Sequence, residues 1–154
     1  MTETMEAPIT NYAELRARML ATVSREAALS EAFYRHLFEL QPAIRNLFPE
    51  SMSAQQLKFT HTLNTVLQLI DCAVLDPTTG SGSAAEDSEL AHALAKLGAR
   101  HQHYGAQPLH YAAVGEALLH ALDEVCQSRL GEAERQAWRR LYAWICMKML
   151  DEAL

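Results

Sequence analysis

The chain has 154 residues, of which 49% are hydrophobic and 21% charged, and a formal net charge of −6 at pH 7. That length suits one domain with a full core; no uninterrupted apolar run is long enough to span a bilayer, and interspersed acids and bases argue against a nucleic-acid footprint. Met1 to Pro8 carries Glu3 and Glu6 and no basic residue, unlike a secretory leader, and Cys72, Cys126 and Cys146 fit neither a zinc pattern nor an even disulfide framework, so reduced thiols and the cytoplasm are expected.

Residues 1–10 read as a tail. A first helix is predicted from Asn11 to Val23, with a capping-box-like start at Asn11 and Glu14 and Leu15, Met19, Leu20 and Val23 on one side. Ser24 is placed to cap a second helix that reaches Leu40 and turns Leu29, Phe33, Leu37 and Phe38 inward. Pro42 starts a short helical segment ending near Phe48, and Pro49 prevents its continuation. Ser53 is the expected N-cap of a helix to about Asp71, with Phe59, Leu63, Val66, Leu67 and Ile70 buried. Residues 76–87, DPTTGSGSAAED, are too polar and glycine-rich to bury a face and read as a surface loop.

Ser88 is the predicted cap of the next helix, which ends near Gly105. Pro108 opens a helix through Arg129 with Tyr111, Val114, Leu118, Leu122 and Val125 inward. After Gly131 a last helix carries Trp138, Leu141, Tyr142, Ile145 and Met149 and runs almost to Leu154. No strand alternation and no internal repeat interrupts this pattern. The class is all-α with about seven helices, in a single domain over residues 1–154.

One residue breaks the apolar pattern in an informative way. Leu90, Leu94, Leu97 and His101 follow one another at steps of four, three and four. A histidine ending an apolar stripe needs a partner for its ring nitrogens. A metal carried in a cofactor is one answer, because neutral imidazole is the commonest protein metal ligand; a hydrogen-bonded core histidine is the other. His103 lies about 200° round the helix from His101, off the stripe, and His110 sits in the first turn of the next helix, where capping is the ordinary role.

His101 stands in the run LGARHQHYG at residues 97–105, followed by HYAAVGEALL at residues 110–119. Upstream come Phe33-Tyr34 in FYRHLF, Pro42 eight residues later, Phe48 six residues after that and Gln55 seven further on. In this combination the chain resembles the globin family, most of all bacterial single-domain globins and the haem domains of flavohaemoglobins, from about Asn11 to Glu152 with residues 76–87 as an insertion. The resemblance implies a globin fold around a haem b pocket, with His101 as the proximal iron ligand. It implies that Phe48 packs against the ring, that Lys58 and Arg100 pair with its propionates, that Tyr104 is among the residues that bind the cofactor and that Val114 and Leu118 pack on the proximal side.

On the distal side the resemblance places Tyr34 as a hydroxyl donor to bound O2, with Gln55 beside it. Phe59 and Thr62 lie about 40° and 20° from Gln55 around the helix, so all three can share one face. Gln56 fits the periodicity equally; only the spacing from Phe48 favours Gln55. Phe59 is bulky enough to narrow ligand entry. His61 is about 120° off that face. Tyr111, ten residues after His101, is expected to support the proximal histidine together with a carboxylate, for which Asp151 and Glu152 stand near the right place.

The implied function is reversible binding of O2, and of NO and CO, with an NO dioxygenase type of detoxification. The sequence holds no glycine-rich flavin or nicotinamide motif, so turnover is expected to draw on a separate reductase. No nucleic-acid or membrane partner is expected. Two further classes use the same residues: a haem-based gas sensor that reports to a partner protein, and a helical scaffold without haem. An absorption spectrum separates them.

Overall fold

The computed structural model describes residues 11–25, 28–70, 72–75, 89–127 and 129–151. Six α-helices follow in order: α1 (Tyr12–Arg25), α2 (Ala28–Leu40), α3 (Ser53–Leu69), α4 (Glu89–His103), α5 (Pro108–Cys126) and α6 (Glu132–Asp151). A 3-10 segment, Pro42–Leu47, joins α2 to α3, and another, Cys72–Leu75, follows α3. Among the described residues there is no strand. Each of the seven predicted segments has its counterpart; the turn at Cys72–Leu75 was not anticipated.

Local chemistry sets most of the boundaries. Asn11 Oδ1 accepts the backbone N–H groups of Ala13 and Glu14 at 3.0 and 3.2 Å, which caps α1 as expected. Ser24 does not cap α2. It lies inside α1, because the apolar stripe continues to the buried Val23 and the helix runs on to Arg25. Ser53 is likewise the first residue of α3 rather than its cap; Met52 holds the cap position and makes no side-chain bond there. Pro42 and Pro108 each sit at the start of their element, where no N–H is needed. Helix α5 ends at Cys126, three residues short of the expected Arg129, with Gln127 as its left-handed C-cap. The tail, the 76–87 loop and Ser88 lie outside the described residues.

Helix α2 packs chiefly on α5, α4 on α6 and α1 on α3. Trp138, Met19, Leu67 and Leu122 have no exposed surface and form the centre of the core. Glu134 ties two layers together: its carboxylate accepts Thr22 Oγ1 from α1 at 3.2 Å and Trp138 Nε1 from its own helix at 3.3 Å. Helices α4 and α6 cross in close backbone contact. At Gly98 the backbone of α4 meets the Met149 carbonyl of α6 so closely that an added Cβ would collide with it. That crossing fixes where the last turn of α4, and therefore His101, projects.

Candidate functional site

Helix α2 delivers a cluster of aromatic rings. Phe33 stacks on Phe59 of α3 at 4.2 Å with 11° between planes. Tyr34 meets Phe48 and Phe59 edge-on at 5.6 and 5.7 Å. Phe38 closes the group at 5.9 Å from Tyr34 and 5.6 Å from Phe48. Edge-on geometry aims the positive rim of one ring at the negative face of the next, so these contacts orient the rings as well as bury them.

Tyr34 is 6% exposed, and Gln55 Nε2 donates to its hydroxyl at 3.3 Å. Burial raises the Tyr34 phenol above its ordinary pKa of 10.0, opposed in part by the Gln55 bond. The phenol therefore keeps its proton at neutral pH. Because it accepts from Gln55, its own O–H remains available as a donor. The structure thus brings together Tyr34, Gln55, Phe48 and Phe59; it is Gln55, not its neighbour Gln56, that reaches the hydroxyl.

Phe48 owes its position to a residue absent from the sequence expectations. Its backbone is extended as the chain leaves the 3-10 segment, and its N–H bonds to the Arg45 carbonyl at 3.2 Å. The Arg45 guanidinium then donates to three successive carbonyls, those of Phe48, Pro49 and Glu50, at 3.3, 2.8 and 2.8 Å. It also lies 5.3 Å from the centre of the Phe38 ring. One side chain therefore satisfies the carbonyls of an irregular corner and covers the ring beside it.

His101 differs from expectation in burial. The stripe leads from buried Leu90 and Leu94 through half-buried Leu97 to an exposed His101, because α4 packs closely only as far as Gly98. Its geometry is nonetheless well defined. Nδ1 lies 2.9 Å from the Leu97 carbonyl, which can only accept, so Nδ1 carries the proton. In the neutral ring Nε2 then carries the lone pair, with no protein partner among the described residues, the tautomer that a metal ligand requires.

The backbone of the same residue is pinned as well. Its carbonyl accepts Ala106 N–H at 2.9 Å while Gln102 accepts Gly105 N–H at 3.0 Å, the paired bonds of a Schellman helix end. Gly105, at φ +104°, supplies the left-handed turn.

The remaining predicted residues are scattered around this frame. Lys58 and Arg100 are exposed and pair with no carboxylate among the described residues. Tyr104 is exposed, its ring 5.7 Å from that of His103. Leu118 is buried and Val114 half-buried, both on α5. His110 Nδ1 accepts the Gln107 N–H at 3.0 Å, a capping role. His103 and His61 are exposed.

Tyr111 is half-buried, and burial, with a lesser effect from Cys146, raises its phenol pKa. Its carbonyl accepts the Tyr142 hydroxyl at 2.5 Å. Gly115 makes room for that approach, since a Cβ there would stand 2.8 Å from the Tyr142 ring. Sequence reasoning missed this contact; the glycine one turn after Tyr111 was its only trace. The Asp151 side chain and Glu152 lie outside the described residues.

The donor set fits a haem group: an imidazole held in the ligating tautomer, an aromatic wall and a buried phenol with a free O–H. The comparisons with known proteins agree. A globin family model matches residues 31–149. Neuroglobin of Danio rerio is 34% identical over 130 residues, spanning 75% of this chain and 73% of its own. Neuroglobin of Tetraodon nigroviridis is 32% identical over 128 residues with the same coverage. Flavohemoprotein A of Dictyostelium discoideum is 28% identical over 124 residues, covering 80% of this chain and 28% of that protein. The flavohaemoglobin type suggested by the motifs is among the relatives, joined by neuroglobins of fish.

Proposed function

The chain belongs to the globin family, and from that premise we propose that it holds haem b through His101 Nε2 and binds a diatomic gas opposite, O2 first, with NO and CO as competing ligands. The observation that carries this reading is the commitment of His101 Nδ1 to the Leu97 carbonyl, which leaves Nε2 as a lone-pair donor. Such an outer bond also raises the basicity of the ligating nitrogen. Lys58 and Arg100, exposed and without carboxylate partners among the described residues, are the groups we assign to the propionates.

On the opposite side the chain contributes a proton donor of fixed position. Tyr34 is wedged between Phe48 and Phe59 and held by Gln55, so its O–H need not reorganise to meet a ligand that carries partial negative charge. A hydrogen bond to such an acceptor contributes about 1.5–3 kcal/mol, roughly ten- to a hundredfold in affinity. Phe59 limits the width of the approach.

When bound, haem supplies redox chemistry in which O2 and NO combine to nitrate with one-electron oxidation of the iron, which a separate reductase then reverses. We propose NO dioxygenation of this kind as the activity, in a single domain over residues 1–154 located in the cytoplasm. Among the described residues no helix is long and apolar enough to cross a membrane.

The test is a stopped-flow comparison of wild type and Tyr34→Phe. The variant should release O2 about ten to a hundred times faster and form nitrate from NO more slowly. Equal O2 release from both proteins would show that the phenol plays no part.

A further inference from the structure

A second cluster of ligating side chains lies away from the aromatic site, on the outer side of the α2–α5 contact. His36 of α2 and His120 of α5 stack with ring centres 5.5 Å apart and 26° between planes. Glu124 Oε1 lies 2.8 Å from His36 Nε2. Glu39 Oε1 lies 3.9 Å from His36 Nδ1, and Glu116 Oε2 lies 3.9 Å from His120 Nε2. Glu116, His120 and Glu124 follow one another at four-residue steps, so α5 presents all three on one face. Three carboxylates surround two imidazoles, and Arg35 is bound to Glu124 at 2.7 Å.

We propose that this cluster is a binding site for a divalent transition-metal ion of zinc type, with His36 Nε2, His120 and Glu124 Oε1 as protein ligands. Mixed imidazole and carboxylate donors are the set that zinc accepts. Two imidazoles on one tetrahedral ion, with metal–nitrogen bonds of about 2.0–2.1 Å, place their ring centres roughly 5 Å apart. The rings stand 5.5 Å apart but are stacked, and because a ring nitrogen's lone pair lies in the ring plane, His120 must turn before both imidazoles can face one ion.

The ion takes the position of the proton now shared between His36 Nε2 and Glu124. That proton moves to Nδ1, where Glu39 faces it, giving the carboxylate–histidine–metal relay typical of ligating histidines. Among the described residues no three such groups converge on one point as they stand. The His120 side chain is 51% exposed, and its rotation toward His36 assembles the site. Arg35 opposes binding, because it holds both oxygens of Glu124 at 3.0 and 2.7 Å.

The test is a zinc titration of the purified full chain against a competing fluorescent chelator, with absorbance of the aromatic site recorded in parallel. One equivalent of zinc should bind. His36→Ala and His120→Ala should each weaken it at least tenfold, His61→Ala on α3 and His92→Ala on α4, both exposed, should leave it unchanged, and Arg35→Ala should tighten it severalfold. Because His120 is exposed, His120→Ala should fold normally, which circular dichroism checks. Zinc affinity that is the same in wild type, His120→Ala and Arg35→Ala overturns the proposal. Neither outcome depends on haem.

Discussion

Replacing Gly98 by alanine tests how the fold aims His101. A methyl at Gly98 would fall on the Met149 carbonyl, 2.5 Å from its carbon and 2.8 Å from its Cα. Moving the carbon out to an ordinary 3.4 Å contact already requires about 0.9 Å, and the carbonyl oxygen, which lies nearer still, requires α4 and α6 to part by more than that. The obstacle is backbone, so no rotamer change relieves it. Overpacking of this kind costs about 1–3 kcal/mol, and the upper end applies here. Alanine returns about 0.8–1 kcal/mol through its better helix propensity. The net loss is about 2 kcal/mol, or roughly 4–8 °C in melting temperature for a domain of this size. His101 lies one turn further along α4, so the separation also shifts the imidazole. Differential scanning calorimetry measures the first effect, and the rate of haem transfer to an acceptor protein measures the second. A Gly98→Ala protein that melts within about 1 °C of wild type and releases haem at the same rate would refute the crossing as the determinant.

Three further outcomes follow from single contacts. Gly105→Ala forces a side chain into φ +104° and against Leu47 Cδ2 at 3.2 Å, so it should destabilise by about 1–2 kcal/mol and loosen the His101 corner; unchanged chemical denaturation would contradict the Schellman assignment. Phe59→Ala removes the ring stacked on Phe33 and should speed CO association, measured by flash photolysis; an unchanged rate would show that Phe59 does not restrict entry. Glu124 is held at a pKa of about 2, first by the Arg35 hydrogen bond and then by His36. Its folded pKa is below the ordinary 4.5, so the pairing stabilises above about pH 4.5 and is lost as pH falls toward 2. In Arg35→Ala, carbon-13 NMR titration should find the Glu124 midpoint moved up toward 4.5; a midpoint unmoved would mean that the pairing does not form in solution.

The sequence made the helices legible because their apolar stripes and proline starts are local signals. Pro42 and Pro108 open their elements where expected, and Asn11 caps α1 with its own side chain. Ser24 and Ser53 show the limit of that logic. A serine near a helix start is as acceptable inside the first or last turn as at the cap, and the packing of Val23 or the placing of Met52 decides. Gln55 and Gln56 are equivalent by periodicity. Only the register of α3 against α2 selects the one that reaches Tyr34, 21 residues earlier.

The contacts that escaped sequence reasoning are tertiary. Arg45 has no periodic role in its 3-10 segment, yet it gathers three carbonyls of the Phe48 corner. Glu134 joins α1 to α6 across 112 residues, and Tyr142 reaches the Tyr111 carbonyl across 31. His101 carries the reverse lesson. Its place at the end of an apolar stripe suggested burial. The structure shows an exposed ring whose one fixed bond, to Leu97, matters more for ligation than its burial.

The most direct test of the account is the ferrous absorption and resonance Raman spectrum of wild type beside His101→Gly, with and without added imidazole. The account predicts an iron–imidazole stretch in wild type, its loss together with weakened haem retention in the variant, and its return when imidazole fills the gap. A variant with full haem content and an unaltered stretch would contradict ligation by His101, and a wild-type chain that takes up no haem would contradict the proposed function as a whole.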